Sequence, residues 1–237
     1  MNQESELPNW AKQIAVFDLE TTGLDLAEAR IVTACVLVLD QKGDVVEGSD
    51  FEWLANPGIE IPKAASDVHG ITTEIAIRDG RAAKDVVGEI IDELRKCFAL
   101  GLAVVAYNAP YDFTILHHEA IRHGLEPLKL GNIIDPLVID KQKDKYRKGK
   151  RRLENVAEFY QVPLTDAHNA TADAIAAGRV AQAIAFKYAN ELPSEAAELH
   201  AEQVAWSEAI DRDFAKYMQQ NVNPDFALNL GWPLKLT

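Results

Sequence analysis

The chain has 237 residues, 48% of them apolar and 26% charged, and a formal net charge of −13. That length supports one sizeable core with room for a small appendage, and the acidic balance argues against a polyanionic partner unless some stretch opposes it locally. Cys35 and Cys97 form neither a metal-binding spacing nor a disulfide framework. No basic leader with an apolar stretch opens the chain, and no run approaches the roughly 20 apolar residues of a membrane span, so a cytoplasmic protein with no membrane partner is expected.

In chain order, residues 13–18, 31–39 and 44–54 read as strands, the last two joined by the turn-forming residues Asp40 to Gly43. Val86, Val87, Ile90, Ile91, Leu94 and Phe98 recur at helical spacing within 84–99, which leads into a strand at 102–107. A helix over 112–123, a short strand at 132–134 and helices over 152–160 and 170–190 follow. An antiparallel start passing into strand and helix alternation predicts an α/β fold, a mixed sheet flanked by helices. Neither GxGxxG nor GxxxxGK is present. From Pro193 to Met218, Leu199, Trp206, Ile210, Phe214 and Tyr217 share one helical face. The expected organisation is a domain over 1–190, with a C-terminal helix and tail over 191–237 packed on it.

Three segments place polar chemistry at element ends. In AVFDLETTGL, Asp18 and Glu20 are two apart and share a strand face if residue 20 is still extended. Two close carboxylates raise each other's pKa unless a cation stabilises both, and hard oxygen ligands suit Mg²⁺ or Mn²⁺; an acidic pair facing solvent is the alternative. AVVAYNAPYDFTIL ends a second apolar strand with Asn108, then Asp112 where a helix begins, a position that also favours an acid for the helix dipole. DAHNATADAIAAGRV sets His168 ahead of an alanine-rich helix and Asp173 in its first turns, where a surface histidine and a dipole-compensating acid are the alternatives.

Together, FDLETTGL, YNAPYD and HNATAD resemble the three motifs of the DEDDh group of 3′-to-5′ exonucleases, the group of the DNA polymerase III epsilon subunit and ribonuclease T. The resemblance spans residues 13–186, with HxxxxD spacing between His168 and Asp173. It implies a ribonuclease H-like fold with two Mg²⁺ ions, for which Mn²⁺ substitutes, held by Asp18, Glu20, Asp112 and Asp173, with His168 as general base. It also implies that Thr21, Thr22, Gly23, Leu24, Asn108 and His69 of SDVHGIT touch the terminal nucleotide. The implied substrates are single-stranded or frayed 3′ ends of DNA, with RNA trimming or an idle scaffold subunit as alternatives and a polymerase as a conceivable partner. Tyr107 stands where the group commonly has histidine, and Thr33 where glutamate is frequent, which bears on substrate fit.

Residues 141–152, KQKDKYRKGKRR, carry a local charge of +7 and leave −20 for the rest. Such a run reads either as a solvated loop or as a contact for the phosphate backbone through Lys148, Lys150, Arg151 and Arg152, with Tyr146 available for stacking.

Overall fold

A computed structural model of the chain describes residues 6–164 and 168–236; Asp166 and Ala167 of the third segment lie outside them. Strand β1 (Ile14–Thr21) pairs antiparallel with β2 (Ile31–Leu39), and β2 pairs likewise with β3 (Phe51–Asn56). The short β4 (Arg81–Ala82) runs parallel to β3, while β5 (Ala103–Val105) and β6 (Ile133–Ile134) extend the other edge in parallel. The sheet order is β4-β3-β2-β1-β5-β6, which puts β1 inside the sheet.

Alternation along β1 divides the core. Ala15, Phe17 and Leu19 pack with α4 (Ala83–Ala99) and α5 (Pro110–Arg122), whereas Ile14 and Val16 face α7 (Leu153–Phe159) and α8 (Ala170–Lys187). Shorter helices are α1 (Asn9–Lys12), α2 (Lys63–His69), α3 (Thr73–Asp79) and α6 (Pro136–Lys143); α9 (Ala196–Asn221) lies along β6 and α6. Among the described residues no helix is long and apolar enough to cross a membrane.

The third strand departs from expectation, beginning at Phe51 rather than near Asp44. Val46 N–H donates to the Val38 carbonyl at 2.9 Å, and the Ser49 hydroxyl accepts from Val38 N–H at 3.1 Å. A side chain thus takes the place of a continued ladder, and the chain bends before pairing resumes. The predicted apolar face of α9 is also only partly covered: Leu199 is buried, but Phe214 and Tyr217 are exposed. Its buried contacts include polar ones that close the open edge of β6. His200 Nδ1 accepts from Ile133 N–H at 3.0 Å, Gln203 Oε1 accepts from Asp135 N–H at 2.7 Å, and Gln203 Nε2 donates to the Ile133 carbonyl at 3.1 Å.

Candidate active site

Strand β1 stays regular through Glu20, so Asp18 and Glu20 continue the row begun by Ile14 and Val16 and face α8. The register then shifts between Glu20 and Thr21, a bulge that turns the Thr-Thr-Gly segment away from the ladder. Helix α8 crosses this face closely because Gly178 has no side chain. A Cβ there would sit 2.5 Å from both Val16 Cγ1 and Leu39 Cδ1. The helix begins at Asn169, whose side chain accepts from the N–H groups of Thr171 and Ala172, each at 3.1 Å. Asp173 in the first turn is thereby brought over Glu20.

Asp112, 2% exposed at the start of α5, accepts from Leu19 N–H at 3.1 Å. Pairing of β1 with β5 ends at Val16, so this carboxylate takes up a β1 donor beyond the end of the neighbouring strand. His168 adopts a left-handed φ of 71°, and its N–H donates to Asp173 Oδ2 at 3.2 Å. One ligand atom each from Glu20, His168 and Asp173 lie within 4.8 Å of one another.

Electrostatics set this cluster apart. Burial first, then Asp112, Glu20 and Asp173, raise the pKa of Asp18 well above the carboxylate range. Burial and Asp173 raise Glu20 to about 7; burial also raises Asp112 and Asp173. Asp173 Oδ1 is buried without a hydrogen-bond partner. An orphaned carboxylate oxygen among acids that repel one another fits a hard divalent cation, which takes oxygen ligands and removes the repulsion.

Beside the acids, Thr21, Thr22, Gly23 and Leu24 line a cleft of about 400 Å³ with Val68, His69 and Tyr111. Thr21 Oγ1 and Tyr111 Oη lie 2.5 Å apart and 2.8 and 2.9 Å from the Gly23 carbonyl, so that one hydroxyl donates to the other and the second donates to the carbonyl. Thr22 is fixed by reciprocal bonds with Arg30, each 2.9 Å. His69 ends α2 ahead of Gly70, whose φ of 77° makes the left-handed cap. Its Nδ1 accepts from Ile71 N–H at 3.2 Å, and burial lowers its pKa. Thr72 caps α3, accepting from Ile75 N–H.

Two residues that sequence reasoning did not single out support this arrangement. Tyr111, next to Asp112 in the second motif, pins the Gly23 turn. Asp135, 1% exposed, accepts from the N–H groups of Asn108, Ala109 and Leu137, each at 3.0 Å, and from the Trp232 indole at 3.3 Å. It holds Asn108 at φ 64° and joins it to the C-terminal tail; Asn108 lies with Asp135 and Trp232 in a separate recess and is not among the residues that line the Thr21–Leu24 cleft. An acid before a proline, with a buried apolar pair ahead of it, was the available signal. The basic run is divided by the fold. Lys148, Lys150 and Arg152 are exposed, but Arg151 is turned inward onto the buried Asp140, so the expectation that it meets substrate is corrected to a structural role.

Comparison with known proteins follows the same outline. The RNase_T family, described as Exonuclease, matches residues 15–181, and the chain belongs to that family. It is 34% identical over 120 residues to a DNA polymerase III subunit epsilon-like protein of Rhodobacter capsulatus, covering 51% of this chain and 16% of that protein. To the DNA polymerase III subunit epsilon of Rickettsia prowazekii it is 31% identical over 128 residues, 52% of each chain. It thus spans about half or less of the length of these relatives. The fold is the ribonuclease H-like arrangement of E. coli exonuclease I: the structure of that enzyme with a dT13 oligonucleotide superposes with a TM-score of 0.64 at 18% identity, covering 76% of this chain and 42% of the other.

Proposed function

We propose that the protein is a divalent-cation-dependent 3′-to-5′ exonuclease that removes nucleoside 5′-monophosphates from single-stranded or frayed DNA ends. The observation that carries this reading is the gathering of Asp18, Glu20, His168 and Asp173 at one end of the sheet, with Asp112 behind them. Asp18, Glu20 and Asp173 would hold one cation, and Asp112 would support a second near Asp18. Two bound cations, Mg²⁺ or in its place Mn²⁺, supply Lewis acidity that makes water nucleophilic and balances charge on the phosphate.

The remaining work falls to the chain. His168, exposed beside Glu20 and Asp173, takes the proton of the attacking water, a role for which histidine is suited near neutrality. The segment from Thr21 to Leu24 cradles the terminal nucleotide, its backbone preset by Tyr111 and Arg30. Leu24, 86% exposed, presents an apolar side chain to the base, and His69, which lines the same cleft, contacts the sugar and phosphate; Asn108 takes part on the strength of the family resemblance alone. The names of both relatives support DNA as substrate and a DNA polymerase as a partner to look for.

Digestion of 5′-labelled single-stranded DNA and RNA side by side tests the reading. The expected outcome is progressive shortening from the 3′ end, faster on DNA and abolished by EDTA. Faster RNA trimming would move the assignment to an exoribonuclease, and shortening indifferent to EDTA would end it.

A further inference from the structure

In a chain of net charge −13, the segment from Lys141 to Arg152 is a local reversal of sign, and the fold treats its cations in two different ways. Arg147 and Arg151 are drawn inward. Both guanidinium groups meet the same oxygen of buried Asp140, Arg147 at 2.6 Å, while Tyr160 donates to the other oxygen at 3.0 Å. Arg151 also donates to the backbone carbonyls of Asp140, Asp144 and Arg147, so the loop wraps around its own guanidinium. Arg147 stacks 3.8 Å over the Phe159 ring. Lys143 and Lys145 are tied to Glu191 and Asp213.

What remains facing outward is Lys148, Lys150 and Arg152, with Tyr146 at 90% exposure. Among the described residues, Lys148 and Lys150 have no ion pair, and Arg152 has only a 3.9 Å approach to Glu154. The loop is also fastened to the catalytic end of the sheet. The Tyr107 hydroxyl, one residue before Asn108, donates to the Arg151 carbonyl at 2.7 Å, and burial holds that phenol well above its ordinary pKa, so it stays a donor. Glu154, two residues past Arg152, is close enough for its charge to act on Asp173.

We infer that residues 144–152 form a preformed cationic rest for the phosphates of the single strand leading away from the cleft, with Lys148, Lys150 and Arg152 as phosphate contacts and Tyr146 as a stacking surface. This rests on the nuclease reading above and extends it to nucleotides upstream of the terminal one. Two buried guanidinium groups on one carboxylate contribute little net stability but fix one conformation. Holding the outer cations in place beforehand lowers the ordering cost of binding. Since the rest of the molecule repels a polyanion, these three cations dominate the local attraction.

Binding of a fluorescein-labelled oligothymidylate, followed by anisotropy between about 50 and 200 mM salt, tests the inference. The variant is Lys148→Gln/Lys150→Gln/Arg152→Gln; the control, Lys84→Gln/Lys129→Gln/Lys216→Gln, removes equal charge from exposed positions elsewhere. With about 0.7 counterions released per single-strand phosphate contact, the slope of log Kd against log salt should fall by about 2 in the loop variant and remain at the wild-type value in the control. Lys148→Gln/Lys150→Gln alone, which breaks no contact in the fold, should lower it by about 1.4. A wild-type slope in both loop variants, or an equal fall in the control, overturns the inference. Wild-type protein that binds with the expected slope yet never shortens the strand would instead overturn the nuclease reading.

Discussion

Glu20 illustrates how a single side chain carries both the cost and the purpose of the site. Burial and the nearby Asp173 raise its pKa from the ordinary 4.5 to about 7. The unfolded chain therefore releases this proton before the folded one does. Between those values the folded state binds more protons, so stability falls as pH rises from about 4.5 to 7 and levels off above. Asp18, Asp112 and Asp173, also raised, act in the same direction. In EDTA the melting temperature should fall across that window, with a shallower fall in Glu20→Gln; a flat wild-type profile would contradict the cluster. The acids were legible in the sequence because spacing of two on a strand, and an acid at each of two helix starts, are local patterns. Arg151 was not, because nothing in KGKRR reveals which cation turns back onto an acid eleven positions earlier. Asp135 and Tyr111 were missed for the same reason: their partners are set by tertiary contact.

Helix α9 was read as an apolar face seeking burial, and the structure gives it a more polar task. Gln203 meets both a donor and an acceptor at the edge of β6, and its bond to Asp135 N–H adjoins the carboxylate that fixes Asn108. Gln203→Ala would leave buried Asp135 N–H without its partner and remove one of the two side-chain contacts to the Ile133 carbonyl, costing about 1–3 kcal/mol. Urea unfolding should show that loss, whereas a midpoint unchanged from wild type would mean that the edge is closed by other contacts. Helices α4, α5, α7, α8 and α9 and the inner strands were visible in the sequence, with ends that agree to within a few residues, whereas α1 and α6 were not foreseen. The third strand was displaced because Ser49 replaces a ladder bond, an exchange that alternation of apolar and polar residues does not encode. Helices α2 and α3 are short and rest on the left-handed Gly70 and the Thr72 cap.

At the level of the molecule, the mixed sheet brings residues separated by up to 155 positions to one end of β1, as the three motifs implied. Fold class was legible because an antiparallel beginning and a later strand and helix alternation leave few ways to cover both faces of a sheet. Charge distribution was legible only in outline: the +7 segment stood out, but its division into inward and outward cations awaited the fold. The central claim is that Asp18, Glu20 and Asp173 jointly hold a divalent cation. Anomalous diffraction from crystals soaked in manganese measures this directly. The account predicts a strong peak among those three carboxylates, lost in Asp18→Asn; manganese scattered over surface acids, with none at the end of β1, would contradict it.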